Sequence, residues 1–169
     1  MKKIYTFYEK YIYSANSVIF LLKSCFFFLL LSIFVNVIIN DLFNLDIASN
    51  STASSMKKYS KWVYMLVIVF IIPVFETVIY QWLPVFIYTL VRPNNNKEYS
   101  DLLFSFIFSI IFGLLHIYSL GYFISAFVIG FCYISFALFL QRIKKNYFVP
   151  IFLVHLFNNL FAAVIFFMK

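Results

Sequence analysis

The stretch Pro73-Val74-Phe75-Glu76-Thr77-Val78-Ile79-Tyr80-Gln81 sets one carboxylate deep inside an apolar run. From Trp62 to Val91 Glu76 is the sole acid, and there is no base. A lone charge at the centre of a bilayer costs about 2.5–3.5 kcal/mol on insertion scales and more in simulations. Such residues face a bundle interior or a wet cavity and are paired there, so Glu76 requires a partner from elsewhere in the chain.

The rest of the chain supplies the bilayer setting. Hydrophobic residues make up 64% and charged residues 11%, against about half and a quarter in soluble domains. Apolar stretches able to cross about 30 Å of hydrocarbon recur near Ser17–Ile39, Trp62–Val91, Leu102–Tyr118, Gly121–Gln141 and Phe148–Met168. They are continuous rather than alternating, which excludes an outer-membrane barrel. The expectation is an all-α, polytopic transmembrane helix bundle of about five spans with its site in the bundle interior. The 169 residues leave no room for a separate soluble domain. Residues 1–61 form an N-terminal interfacial segment, a first span and a polar loop, and residues 62–169 form a four-helix core.

Met1–Asn16 mixes Lys2, Lys3 and Lys10 with Tyr5, Phe7, Tyr8, Tyr11 and Tyr13, which suits a segment lying at headgroup level. The first span is longer than a signal-peptide core and lacks an A-x-A cleavage site, so it is expected to stay in the mature chain. Lys23, near its start, snorkels to the interface. Asn40–Lys61 reads as a flexible polar loop and Arg92–Lys97 as a proline-containing turn. Ser119-Leu120-Gly121 makes a tight hairpin. Cys25 and Cys132 fall within apolar runs and read as small buried hydrophobes.

The net charge of +7 does not point to nucleic acid, because the basic residues sit at span ends. With the N-terminus inside, eight lie inside (Lys2, Lys3, Lys10, Arg92, Lys97, Arg142, Lys144, Lys145) and four outside (Lys57, Lys58, Lys61, Lys169). The positive-inside rule then predicts N-terminus inside and C-terminus outside.

The candidates to partner Glu76 are few. The chain has two histidines, His116 and His155, each in an apolar run, and Asn159 shares a helix face with His155 at i+4. Singly, such a histidine or asparagine often does no more than bond a neighbouring helix, worth about 0.6–2 kcal/mol. As a set on three helices with a carboxylate, they have the character of a site.

These segments resemble the motifs of the CAAX prenyl endopeptidase and bacteriocin-processing (CPBP, or Abi) family of intramembrane proteases. That pattern runs Glu-Glu-x-x-x-Arg, Phe-x-x-x-His, His-x-x-x-Asn. Phe112…His116 and His155…Asn159 are complete; Glu76 matches the leading glutamate, with Thr77 at the second glutamate and Gln81 at the arginine. The likeness extends over about Trp62 to Met168. It implies an intramembrane endopeptidase acting on hydrophobic or membrane-bound peptides. In it, Glu76 and His116 activate water while His155 and Asn159 donate to the oxyanion. Thr77 and Tyr80 are read as packed.

The expected chemistry needs no cofactor. Zinc held by Glu76, His116 and His155 is the alternative, since one carboxylate and two imidazoles form a catalytic zinc set. Two other functions compete: a catalytically weak relative acting in bacteriocin self-immunity or peptide binding, which Thr77 and Gln81 would allow, and a small transporter or proton relay, for which no inverted repeat is evident. The compact loops suggest a bacterial cytoplasmic membrane, where prenylated CaaX proteins are not the expected substrates. One conflict stands: with straight helices, Glu76 lies about 21 Å in from Trp62 and His116 about 21 Å in from Leu102 on the opposite side. A long, tilted second span, a break near Pro73, or a third span starting inside the bilayer would reconcile them.

Overall fold

A computed structural model describes residues 1–13, 16–42, 60–92, 97–117, 119–143 and 145–168. Most of the polar loop before Lys61 and residues 93–96 of the predicted turn lie outside the described residues. Every regular element among those described is helical. Four stretches are long and apolar enough to cross a membrane: Ser17–Asn40, Leu66–Val91, Leu120–Arg142 and Phe148–Ile165. The helix at the expected third span, Lys97–Leu114, is not among them, because Lys97, Glu98 and Asp101 all fall in its first turns.

Helix α1 (Lys2–Phe7) continues as a π-helical turn over Tyr8–Ile12. It does more than lie at headgroup level, as its sequence suggested. Tyr5, Tyr8 and Ile12 are buried in the main core while Phe7 and Tyr11 stay exposed. The Tyr8 hydroxyl donates to the Cys132 carbonyl at 3.2 Å, and its ring packs on Phe136 and Phe139. Helix α2 (Ser17–Val37) begins at Asn16, whose Oδ1 accepts from the Val18 and Ile19 amides at 2.9 and 3.2 Å, satisfying two of the four orphan donors of a helix start.

The second span, α3, is interrupted. It runs through Lys61–Met65, a π-helical Leu66–Ile71, Ile72–Glu76, a π-helical Thr77–Trp82 and Leu83–Val91. Each π-helical stretch ends just before a proline pair position, Ile72-Pro73 and Leu83-Pro84. Proline has no N–H to give, so it disturbs the ladder at those points. Helix α4 (Lys97–Leu114) returns antiparallel to α3. Arg92 pairs with Asp101, Tyr88 stacks on Phe104 at 4.1 Å, Tyr80 meets Phe112 at 6.2 Å, and Glu76 meets His116. Each step back along α3 is matched by a step forward along α4.

Helix α5 (Leu120–Arg142) starts at Ser119, whose Oγ accepts from the Tyr122 amide at 3.0 Å. It closes tightly on α4: a Cβ added at Gly130 would stand 2.8 Å from Phe112 Cδ1. Only a glycine there lets the Phe112 ring lie where it does. Helix α6 (Phe148–Met168) then packs along α3 and α2.

These contacts resolve the depth conflict. Glu76 is sixteen residues back from Arg92 and His116 fifteen on from Asp101, so both stand about 23 Å along the pair from that ion pair. Helix α6 begins beside Trp82, with Phe148 at 6.3 Å ring to ring. It thus starts about 15 Å along α3, and His155 adds about 10 Å to reach the same level. The fifth apolar helix, rather than the third, is the one displaced. The 26 residues of Leu66–Val91 would measure about 39 Å as a straight helix, so a bilayer of about 30 Å requires α3 to tilt.

Candidate functional site

Glu76, His116 and His155 come together from α3, the end of α4, and α6. His116 Nε2 lies 3.3 Å from Glu76 Oε1, and His155 Nε2 lies 2.9 Å from Glu76 Oε2. The Glu76 side chain is largely enclosed and keeps 18% of its surface exposed.

His116 is held by the way α4 ends. Its own amide bonds the Gly113 carbonyl at 2.9 Å in a tightened last turn, leaving the Phe112 carbonyl without its helical donor. The imidazole replaces it, with Nδ1 2.7 Å from that oxygen. A carbonyl can only accept, so Nδ1 carries a hydrogen and Nε2 is the nitrogen that faces Glu76. Phe112 also packs on both imidazoles, at 4.5 Å from His116 and 6.4 Å from His155.

Asn159 is held by a different orphan. In the π-helical stretch the Ile72 amide reaches back to the Val67 carbonyl. The next residue is Pro73, which has no N–H for the Ile68 carbonyl. Asn159 Nδ2 donates to that oxygen at 3.1 Å. One of its two amide hydrogens thus ties α6 to α3 one turn from His155.

Protons can be counted on this geometry. With His116 protonated on both nitrogens and His155 carrying its hydrogen on Nε2, both imidazoles donate to an ionised Glu76 and the trio is neutral overall. Moving one proton from His116 Nε2 to Glu76 keeps it neutral. The trio can therefore exchange a proton internally without placing a net charge in the membrane, which is where the cost of burying ions lies.

The two positions at which the first motif departs lie on the same helix as Glu76. Thr77 and Gln81 are 0% and 1% exposed. Thr77 Oγ1 and both polar atoms of Gln81 have no partner among the described residues. Gln81 makes no polar contact among the described residues in place of an arginine, and Thr77 is buried. Each imidazole Nε2 spans a hydrogen-bond distance to its own carboxylate oxygen.

A second polar cluster escaped the sequence reading, which drew Asp101 outside the third span. Asp101 is 1% exposed and accepts from Tyr5 at 2.8 Å, Tyr88 at 2.9 Å and Arg92. Arg142 lies over the Tyr5 ring, 5.2 Å from its centroid. Burial and the neighbouring Asp101 carboxylate raise the Tyr5 hydroxyl well above the ordinary tyrosine pKa, so Tyr5 remains a donor. Asp101 follows the helix spacing of buried Ser105, Ser109 and Phe112, and that shared face was the signal available.

Residues 58–161, more than half the chain, match the family described as Type II CAAX prenyl endopeptidase Rce1-like. No curated protein and no solved structure matches the chain. The matched span contains Glu76, His116, His155 and Asn159 and stops short of α1 and α2. This multi-pass helical membrane protein belongs to the Rce1-like family of type II CAAX prenyl endopeptidases.

Proposed function

We propose that the chain is an intramembrane endopeptidase that hydrolyses peptide bonds in hydrophobic or membrane-associated peptides. The observation that supports this reading best is one partly exposed carboxylate bonded by two imidazoles from two other elements. Glu76 takes a proton from water as the hydroxide adds to the scissile carbonyl. The oxyanion receives hydrogen bonds from His155 Nε2 and the second Asn159 amide hydrogen. His116 Nε2 then protonates the leaving amine, and the proton on Glu76 passes to His116, restoring the starting state. No step requires a metal. The protein sits with its N-terminus inside, in a bacterial cytoplasmic membrane.

A second reading, a catalytically weak relative acting in peptide binding or bacteriocin immunity, is favoured by one observation: Thr77 and Gln81 carry polar atoms at motif positions that have no partner among the described residues. One experiment separates the two. Purified protein is offered a panel of hydrophobic fluorogenic peptides, as wild type and as Glu76→Gln, His116→Ala and Asn159→Ala, with and without chelator. Cleavage lost in all three variants and unaffected by chelator supports the metal-free protease. Binding without cleavage supports the second reading, and loss on chelation replaces the metal-free mechanism with zinc.

A further inference from the structure

His155 is bonded to Glu76 through Nε2 only; its other nitrogen, Nδ1, is buried and has no partner among the described residues. One turn along α6, Asn158 Oδ1 is in the same condition. The amide of Asn158 is fixed by its other end, since Nδ2 donates to the Tyr133 hydroxyl at 2.6 Å. The Tyr133 oxygen thereby accepts, and its hydrogen is left to give. The Tyr133 ring in turn lies against the imidazole, 5.4 Å between centroids, and Tyr133 is itself buried on α5.

Two buried polar atoms without a partner among the described residues and one spare hydroxyl hydrogen thus sit on three neighbouring side chains. We propose that they hold a single water molecule, which accepts from Tyr133 and donates to both His155 Nδ1 and Asn158 Oδ1. Three polar partners is the usual complement of a buried water, and the arrangement leaves no polar atom of the three side chains unpaired. Its consequence is chemical. A water that donates to Nδ1 excludes a hydrogen there, so His155 keeps its proton on Nε2, the nitrogen that faces Glu76. Tyr133 and Asn158 are then positioning residues: they set the tautomer of His155 from behind without touching a reactant. The benefit to turnover rests on the hydrolase reading above; the water site and the tautomer do not.

The chain has two histidines, so ¹⁵N-histidine labelling in detergent micelles gives a spectrum of two imidazoles, and His116→Gln identifies which is His155. The expected wild-type spectrum shows neutral His155 with its hydrogen on Nε2 and an Nδ1 that accepts a hydrogen bond. Tyr133→Phe, which keeps the ring packing, and Asn158→Leu should each shift the tautomer ratio toward Nδ1–H by about five-fold, the worth of one hydrogen bond. In a cleavage assay the same variants should lose about ten-fold in kcat with KM unchanged, as outer-partner losses do elsewhere. A wild-type His155 protonated on Nδ1, or a His155 spectrum unmoved in both variants, overturns the proposal. If Tyr133→Phe does not fold, Asn158→Leu decides alone. Because the nitrogen shifts need no substrate, a protein that cuts nothing would defeat the protease reading while leaving this one to stand or fall by its spectrum.

Discussion

Two carboxylates lie at opposite ends of the α3–α4 pair, and their surroundings give them opposite characters. Asp101 is fully buried and takes hydrogen bonds from an arginine and two tyrosine hydroxyls. An arginine does not deprotonate in a protein, and Tyr5 is held neutral by its burial, so nothing around Asp101 exchanges a proton near neutral pH. Glu76 has two imidazoles beside it, on a side chain that keeps 18% of its surface exposed. Its partners are the one side-chain type built to gain and lose a proton under physiological conditions. Donor chemistry, rather than burial of a carboxylate as such, sets the two apart: Asp101 is held by groups that keep their protons, and Glu76 faces groups that can exchange one.

The comparison predicts effects that differ in kind. The largest is on rate: Glu76→Gln should lower peptide hydrolysis by about 10²–10⁴, the range for a lost general base, with little change in thermal unfolding. A variant that cuts normally removes Glu76 from the chemistry. Asp101→Ala should do the reverse. Leaving Arg92 buried without its acceptor costs about 3–5 kcal/mol of stability, whereas turnover per folded molecule is retained, as activity measured beside an unfolding curve would show. Equal loss of turnover would mean that the two ends are coupled.

Asn159→Ala should cost about 1–3 kcal/mol of stability because the Ile68 carbonyl is left unpaired. Adding Pro73→Ala supplies an N–H at that position and should recover part of the loss. A purely additive double mutant would show that Asn159 does not serve that carbonyl. The smallest effect is expected at Gln81. Its carboxamide has no partner among the described residues, so Gln81→Leu should be neutral or stabilising by about 1 kcal/mol. A marked loss of stability would reveal a polar partner for it.

Residue type alone carried part of this far. A membrane admits so few ionisable groups that Glu76, His116 and His155 could be matched to one another from one carboxylate and two histidines in apolar runs. The helical class and the membrane setting followed from composition and run length: hydrocarbon admits only helices and closed barrels, and continuous apolar runs exclude the barrel. The motif spacing added Asn159 and Phe112. It did not reveal that Asn159 serves a carbonyl freed by Pro73, because a missing N–H acts on an atom five residues away whose new partner comes from another helix.

What the tertiary structure decided is register and company. The level at which α3, α4 and α6 meet depends on where α6 starts beside Trp82 and how aromatic rings such as Tyr88 and Phe104 interleave. Those are relations between helices far apart in the chain, and periodicity within one helix does not report them. Asp101 was drawn just outside a span because it is charged, yet α1 folds back to cover it with Tyr5. Sequence by itself determined which residues can bear charge inside this membrane protein; packing determined which of those charges are locked by arginine and tyrosine and which face an imidazole, since only packing sets the donors that surround them.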